Sequence, residues 1–528
     1  MRRLTILSVA VAVAAALTAV ALAGDNDSGF KTSQPSMLSG RAGTQVTPLL
    51  SVGDAIGNYR FESIPDGISI GRVNGNGTVD LLVNHETSLV PFPLPSATVA
   101  GRSDFTNAMV SKLRLNQHSA GTLQGEFVIP STANYQRFCS NFLATQEQGF
   151  ERDILFTNEE ATDFVSRTGT AWPAPATEPP SEQAGVVVAL DVKSGEYRSI
   201  YGMGRHNHEN SVALPDFGHP VVLSGDDTFT APGSQLYMYT AANGNAVWND
   251  QGTLWALKPV DPSKNDYGDV APGPGIDVTF IQVPPAIAKG GQTGLENWSN
   301  AENVFQFIRV EDIAYDRNDP HIVYFADTGE PRALPPLAGG TRLRRGSAGT
   351  RGDFMNGRLW KLVLGDDPTG PAKLSILPGA NFDEGGYANA SVPHQPDNVE
   401  TTRNAVYFQE DPGSHNSSAP PVPPAVGPPG YPPFPDATNA RVWRYDLSTH
   451  ALTVVAEVDQ SALPNAPRAS WESSGIVDAS EVFGPGAFLV DVQAHGLELE
   501  RSPDPPKLNE VNFMREGGQL LLIRLPNP

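Results

Sequence analysis

The chain has 528 residues, a hydrophobic fraction of 39% and a formal net charge of −22 at pH 7. This length and apolar content can fill a large core, in one large all-β domain or in several smaller domains. The acidic excess argues against nucleic-acid binding, which depends on a basic surface. It would also repel a free phosphate ester unless local cations reverse the field, so any phosphate chemistry here would require bound metal.

The first 23 residues have the pattern of a signal peptide. Arg2 and Arg3 precede an apolar run from Leu4 to Leu22, and small residues surround a cleavage position after Ala23. The pattern predicts export to the periplasm or the cell exterior, with no membrane span left after cleavage. An uncleaved membrane anchor is the alternative, and the arginine pair also suggests a twin-arginine signal.

Cys139 is the single cysteine of the sequence. An intrachain disulfide is therefore impossible, even in an oxidising compartment. The residue is either an inert buried side chain or a functional thiol.

Residues 24–55 are polar, small and weakly patterned, and we expect an N-terminal arm there, followed by a single catalytic domain at 56–528. Glycine (51) and proline (47) together make 98 of the 528 residues, which interrupts any long helix. From Tyr59 onward the pattern is strand, turn, strand. Short β-branched and aromatic runs recur at 79–83, 153–156, 185–190 and 321–325.

A weak internal repeat runs through the middle of the chain. In each copy a small or basic lead-in precedes an aliphatic residue, a tryptophan and an alternating continuation. Alternation places the tryptophan on one face of a strand, where a radial stack of sheets can bury it. The repeat predicts an all-β fold, a β-propeller of five or six blades, with a β-sandwich array as the alternative. The copies lie at 252–257, 357–362 and 440–445, with a softer copy at 234–239.

Long irregular loop insertions interrupt these strands. The segments 172–180 and 419–435 are rich in proline and predict extended surface loops. The segment 339–352 is basic and rich in glycine. It predicts either an anion-attracting loop or a solvated one.

The stretch GRHNHEN at 204–210 concentrates an arginine, two histidines and a carboxylate beside apolar runs. Such groups are costly to bury unless a metal, an anion or one another satisfies them. Short acidic tips recur elsewhere, and strand ends and loops gather at one mouth of a propeller. We therefore predict that the tips converge on one polynuclear metal site, with unrelated turn acids as the alternative. The tips are at 84–86, 158–160, 225–227, 309–312, 409–411 and 471–472.

Several common catalytic motifs do not occur in the sequence. His208 and Glu209 are not followed by the second histidine of a zinc-protease motif, and there is no CxxC pair. A glycine-rich phosphate loop ending in Lys-Ser/Thr and a GxSxG nucleophile elbow are also lacking.

Taken together, several stretches resemble the PhoX family of exported alkaline phosphatases, in register from about residue 84 to residue 495. The resemblance implies a β-propeller phosphomonoesterase whose cofactor contains two ferric ions and up to three calcium ions. The stretches are 204–210 (GRHNHEN), 309–316 (RVEDIAYD), 84–87 (NHET), 157–160 (TNEE), 396–398 (PDN), Glu472 with Gly475, and 493–495 (QAH).

The resemblance also implies roles for individual residues. Arg309 would be the catalytic arginine that binds phosphate, and Cys139 would supply a thiolate to iron. In the family pattern the cysteine lies close before the paired glutamates, whereas Cys139 precedes Glu159 by twenty residues. The other implied metal ligands are Glu209 and Glu311 for iron, and Glu159, Glu160, Glu410 and Glu472 for calcium.

Elementary chemistry supports this interpretation. A phosphate monoester is a dianion at neutral pH, so its hydrolysis requires concentrated positive charge around the phosphoryl group. Two adjacent trivalent metals can activate the nucleophile and polarise the ester. Arg309 stands two residues before Glu311 and would share a strand face with it. His206 and His208 would orient ligands or be satisfied surface residues.

The sequence therefore predicts an exported, monomeric, metal-dependent phosphatase acting on small phosphate monoesters. A phosphodiesterase or phytase-like hydrolase on the same scaffold is one alternative. A calcium-stabilised propeller that binds a ligand without catalysis is the other.

Overall fold

A computed structural model of the chain describes residues 28–88, 106–167, 181–228, 233–329, 354, 356–385, 389, 391–411, 439–463, 471–502 and 513–526. The predicted signal peptide and the insertions at 172–180, 339–352 and 419–435 lie outside these ranges. No helix within the described ranges is both long enough and apolar enough to cross a membrane.

Strands dominate the described residues, and the helices are short. The helices are α1 (Gly244–Trp248), α2 (Pro285–Ala288), α3 (Gln292–Ala301) and α4 (Ser480–Phe483). The strands are β1 (Leu38–Gly40), β2 (Gln45–Ser51), β3 (Ala55–Ile56), β4 (Tyr59–Arg60), β5 (Pro65–Asn74), β6 (Thr78–His85), β7 (Met109–Asn116), β8 (Thr122–Ile129), β9 (Phe138–Ala144), β10 (Ile154–Glu159), β11 (Phe164–Ser166), β12 (Ser181–Gln183), β13 (Val187–Asp191), β14 (Tyr197–Ile200), β15 (His208–Leu214), β16 (Val221–Asp226), β17 (Leu236–Thr240), β18 (Thr253–Pro259), β19 (Ile276–Gln282), β20 (Val310–Tyr315), β21 (Ile322–Asp327), β22 (Arg358–Val363), β23 (Ala372–Asn381), β24 (Pro396–Thr401), β25 (Ala405–Glu410), β26 (Arg441–Asp446), β27 (Leu452–Val458), β28 (Trp471–Asp478), β29 (Ala487–Ser502) and β30 (Phe513–Arg524).

The large sheets make six antiparallel blades, which we name A to F in chain order. Their innermost strands, β5, β9, β15, β20, β24 and β28, contact one another in a closed ring. The described residues therefore form a six-bladed β-propeller, which confirms the predicted fold class. The blades are A (β5 to β8), B (β9, β10, β13, β14), C (β15 to β19), D (β20 to β23), E (β24 to β27 with β1) and F (β28 to β30 with β2).

The ring is closed by the N-terminal part of the chain. Strand β2 pairs antiparallel with β30 and becomes the outer strand of blade F. Strand β1 pairs with β27 and adds a fifth strand to blade E. Part of the segment expected as an arm thus belongs to the last two blades.

The aromatic repeat corresponds to a structural position in the blades. Its copies at 234–239, 357–362 and 440–445 cover the third strands β17, β22 and β26. Trp360 and Trp443 are buried there, in two of the apolar clusters that fill the space around the blades. Trp255 differs, because its copy forms β18, the fourth strand of blade C, and its side chain is half-buried.

Candidate metal centre

One position recurs in all six blades. The second residue of each innermost strand is a carboxylate or, once, the cysteine. Because the six strands enter the ring at equivalent places, these side chains lie at the same mouth of the channel. We call this set the inner ring: Asp66, Cys139, Glu209, Glu311, Asp397 and Glu472.

A β-bulge follows the inner-ring position in at least four blades. In blade C, His208 pairs with Asp226, but pairing resumes between Ser211 and Ser224, so one extra residue lies on the inner strand. Blades A, D and E show the same three-against-two step. Bulges of this kind re-aim side chains and are common near active sites. Here the bulge turns the second residue of the strand toward the channel.

A second recurring position lies beside the first. The residue that directly follows the second strand of blades A to E faces its inner-ring neighbour, and His495 occupies the matching place in blade F. Four of these residues are acids. We call this set the outer ring: Glu86, Glu160, Asp227, Thr328, Asp411 and His495.

The two rings bring metal-binding atoms close together. Four groups of three residues each have donor atoms within 4.8 Å of one another, and successive groups share Cys139, Glu209 and Asp397. The donors thus form one continuous path across the mouth. The groups are Asp66, Glu86 and Cys139; Cys139, Glu160 and Glu209; Glu209, Glu311 and Asp397; and Asp397, Asp411 and Glu472.

The electrostatics of the rings call for cations. Burial raises the pKa of Asp66 to about 6, and burial together with the charge of Asp66 raises the pKa of Glu86 to about 7. Burial, followed by neighbouring carboxylates, raises the pKa of Glu209 and Asp397 well above the usual range. Among the described residues, one oxygen each of Asp66 and Asp397 lacks a hydrogen-bond partner. Ligation by metal ions would satisfy these oxygens and ionise the acids.

The donor set separates into two chemical kinds. Cys139 belongs to two of the four groups, and its Sγ lies 3.3 Å from Oδ2 of Asp66. Burial and then the charge of Asp66 raise the pKa of this thiol well above its usual value. A thiolate with carboxylates suits a transition metal, and a thiolate shared by two groups can bridge two ions. The two all-carboxylate groups suit hard cations such as calcium. The residues present therefore fit a mixed cluster.

Arg309 reaches the rings from the residue just before β20. Its guanidinium donates to both oxygens of Asp227 (Nε to Oδ1 2.8 Å, Nη2 to Oδ2 3.0 Å), and its Nη2 lies 3.1 Å from Oε1 of Glu311. The expected shared strand face is not the reason for this proximity. Arg309 has a φ of 62°, a left-handed conformation outside the strand, and this bend directs the side chain across the mouth.

A layer of amides and hydroxyls supports the acids from below. Ser140 donates to Glu209 at 3.0 Å, and Thr328 donates to Glu311 at 2.6 Å. Asn398 donates to the Ser140 hydroxyl at 2.9 Å, and Asn84 donates to the backbone carbonyl of Cys139 at 2.6 Å. Buried polar networks of this kind fix side-chain orientation when their members are satisfied.

Blade F completes the mouth with an imidazole. His495 lies between two carboxylates, with Nε2 3.4 Å from Glu472 and Nδ1 3.2 Å from Glu516. These partners raise the pKa of His495 well above its usual value despite burial. The predicted ligand Glu472 is therefore at the mouth, together with Asp411 and Asp397.

Two of the predicted ligands lie elsewhere. Glu159 is fully buried and accepts two hydrogen bonds from Arg167, at 2.7 and 2.8 Å. Glu410 accepts two from Arg441, at 2.7 and 2.8 Å, and one from Trp443. Both end the second strand of their blade and belong to none of the donor groups.

Sequence reasoning included the right tips but not always the right acid. Cys139, Glu160, Glu209, Glu311, Glu472 and Arg309 are brought together, as expected. Asp66 was not considered, because its tip contains one acid amid apolar residues. The signal that could have found it is the fixed distance of each acid from the start of an inner strand. The other ring acids missing from the predicted ligand set are Glu86, Asp227, Asp397 and Asp411.

Comparison with known proteins identifies the fold. No family model and no curated protein matches the sequence. Among solved structures, the chain is similar to PhoX of Pseudomonas fluorescens in complex with vanadate, a transition state analogue: the identity is 14% and the TM-score 0.56, over 94% of this chain and 97% of that chain. The NanB sialidase from Streptococcus pneumoniae is less similar, with 8% identity and a TM-score of 0.39 over 91% of this chain and 70% of that chain. The chain thus shares its propeller fold with PhoX.

Proposed function

We propose that this protein is a metal-dependent phosphomonoesterase that releases inorganic phosphate from small phosphate esters. One observation carries the proposal: the inner ring, in which six blades direct five carboxylates and a thiol to one mouth, with Arg309 beside them. The fold shared with PhoX, solved with a transition-state analogue, supports the same class of chemistry.

The charges at the mouth explain why metal is required. Eight carboxylates belong to the donor groups, and they would repel a phosphate dianion. Several multivalent cations would reverse this field and make the mouth an anion receptor. Arg309 would then be free to pair with the ligand, because metal ions would compete for Asp227 and Glu311.

We propose two ferric ions and up to three calcium ions as the cofactor. The two groups that share Cys139 would hold iron, and the two all-carboxylate groups would hold calcium. When bound, these ions would supply the Lewis acidity and the activated oxygen nucleophile of a multi-metal hydrolase.

The chain's own residues position and recognise the substrate. Arg309 offers a planar guanidinium that can bind two phosphate oxygens at once, and Asp227 holds its orientation. Thr328 and Ser140 orient Glu311 and Glu209. We further propose that the protein acts after export and as a monomer, as the sequence pattern predicts.

Substitution of Arg309 tests the proposal. We expect Arg309→Gln to lower kcat/KM for a chromogenic phosphate monoester about 100-fold or more, because a charged donor to the transition state is lost. Glu311→Gln should abolish turnover through loss of metal. Arg317→Gln is the control, since Arg317 also follows β20 but pairs with Glu400. Near-normal turnover by both Arg309→Gln and Glu311→Gln would overturn the proposal.

Metal content tests the cofactor. Elemental analysis of the purified protein should find iron and calcium, and Cys139→Ser should lose iron while keeping calcium. Calcium without iron, together with no turnover, would favour a ligand-binding propeller instead. Relative turnover of a monoester, a diester and phytate separates the phosphatase from a phosphodiesterase or phytase-like enzyme.

A further inference from the structure

A second polar cluster lies outward from the channel, at the top of blade C. His206, in the loop between β14 and β15, is 1% exposed, and its imidazole packs against His208 and Tyr237, with ring centroids 3.5 and 5.0 Å away. Within the described part of the chain, neither ring nitrogen of His206 has a hydrogen-bond partner. A neutral imidazole carries one N–H and one lone pair, so both are left unsatisfied at a substantial free-energy cost.

The neighbour of His206 has the same deficit. Asp226 ends β16, is fully buried, and places Oδ1 3.8 Å from Nδ1 of His206. Thr228 donates to Oδ1 at 2.7 Å, while Oδ2 has no partner among the described residues. By contrast, both nitrogens of His208 are satisfied, by Ser224 at 2.7 Å and the Gly204 carbonyl at 3.2 Å. The orphaned atoms are therefore confined to His206 and Asp226 in this part of blade C.

Helix α3 covers this cluster and brings a second carboxylate. Gln292 donates to Thr228 at 3.1 Å, and Ser299 and Tyr237 are hydrogen-bonded at 3.0 Å. Glu296 stands four residues after Gln292 and three before Ser299, so it shares their helix face. Burial raises the pKa of Asp226 well above its usual range, and the charge of Glu296 raises it further, which places that carboxylate near the cluster.

We propose that His206, Asp226 and Glu296 bind one divalent transition-metal ion, with Zn²⁺ as the ion that fits best, and that this ion fixes α3 to blade C. The 3.8 Å between Nδ1 and Oδ1 is too long for a hydrogen bond. It is short enough for one ion to bridge, since bonds of about 2.0–2.2 Å to each ligand span at most about 4.2 Å. Imidazole with carboxylates is a donor set that zinc accepts, and two carboxylates balance the charge of the ion.

This zinc site is independent of the proposed function. None of its three residues belongs to the donor groups of the candidate metal centre. Its role is structural, because it joins a loop, a strand end and a helix on the same blade.

Zinc content of the full-length protein tests the inference. After equilibration with Zn²⁺ and removal of excess, we expect wild type to retain one equivalent of zinc more than His206→Phe. Phenylalanine keeps the ring packing against His208 and Tyr237 but cannot bind metal. Glu296→Gln should also retain less zinc, whereas Glu302→Gln, at an exposed position that pairs with Lys258, should match wild type. Iron, calcium and phosphatase turnover should be the same in all four proteins.

Stability gives a second measurement. Zn²⁺ should raise the melting temperature of wild type and slow hydrogen exchange in α3, and both effects should be lost in Glu296→Gln even if His206→Phe folds poorly. Equal zinc in wild type and both variants would overturn the inference. Loss of iron or calcium in His206→Phe would also overturn it, because His206 would then belong to the main centre. Failure of the phosphatase assay alone would contradict only the proposed function.

Discussion

At the scale of single residues, neighbouring acids have opposite environments. Glu159 ends a strand and is neutralised by Arg167, while Glu160, the next residue, faces the mouth beside Cys139 and Glu209. Successive side chains of extended chain point to opposite sides. One acid therefore forms an ion pair within its blade, and the next acid is available to metal. Glu410 and Asp411 repeat this arrangement in blade E.

Substitution of each neighbour should separate stability from metal binding. We expect Glu159→Gln to cost about 3 kcal/mol of unfolding free energy, because Arg167 is left without its buried counter-charge. Glu160→Gln should leave the metal-free protein as stable as wild type or more stable, since repulsion among carboxylates falls, but should reduce bound metal. Urea unfolding of metal-free protein and elemental analysis measure the two effects. Equal metal loss in both variants would contradict the assignment.

The raised pKa values of the ring acids predict how the metal-free protein responds to pH. Asp66 and Glu86 rise from 3.8 to about 6 and from 4.5 to about 7, chiefly through burial. Because the folded pKa exceeds the unfolded one, their contribution to stability is complete below about pH 4 and is lost as pH rises through 7. Each group can account for roughly 3 kcal/mol. Bound metal should abolish this loss.

Urea unfolding between pH 4 and pH 8 measures this effect, with and without chelator. The free energy of unfolding of chelated protein should fall across the window, and that of metal-loaded protein should not. A rise in the chelated protein would show that the ring acids are not mutually repelling.

At the scale of elements, the bulged inner strands need close contact between blades. Gly475 lies at the register shift of β28, with a φ of +49°, and donates to Asn398 at 3.1 Å. A Cβ at this position would lie 2.5 Å from the backbone oxygen of Asp66, on the neighbouring blade. A side chain here would therefore push apart the two strands that carry Asp66 and Glu472.

Gly475→Ala should destabilise the protein by about 2 kcal/mol or more, as left-handed strain adds to the steric contact. It should also weaken metal binding, because Asp66 must move. Gly57→Ala is the matched control: Gly57 has a φ of +61° but open space around its Cβ position, so only the strain remains. Unfolding free energies and metal content of the two variants should differ in this order, and equal values would contradict it.

At the scale of the whole molecule, the propeller depends on its N-terminal closing strand. Leu49 and Leu50 of β2 are fully buried, and they share an apolar cluster with Leu520 and Leu522 of β30. Without β2, the edge of β30 would be exposed and blade F would have three strands. Strand β1 is different, since it adds to a blade that already has four.

A chain that begins at residue 52 should lose roughly 3–6 kcal/mol from the two buried leucines, and should unfold or associate. A chain that begins at residue 44 lacks β1 but keeps β2, and should remain a folded monomer with lower stability. Size-exclusion chromatography and urea unfolding compare the two. Equal stability would show that β2 does not close the ring.

Several features of the molecule could be predicted from particular residues. The aromatic alternation around Trp360 and Trp443 predicts buried third strands, because period-two patterning reports which face of a strand is covered. The stretch containing Glu209 and the one containing Arg309 and Glu311 predict polar chemistry, since such groups rarely cluster without a partner. These signals are local, so they can be read from a few consecutive residues.

By itself, the amino-acid sequence determined the all-β fold class, the acidic balance that makes metal a requirement, and most of the acidic tips. Only the tertiary structure decided which acid of each pair faces the mouth, that Asp66 joins the ring, and that Arg309 is held by Asp227. The physical reason is that a bulge shifts register by one residue, and one residue reverses the direction of a side chain. Contacts between blades, far apart in the chain, set that shift.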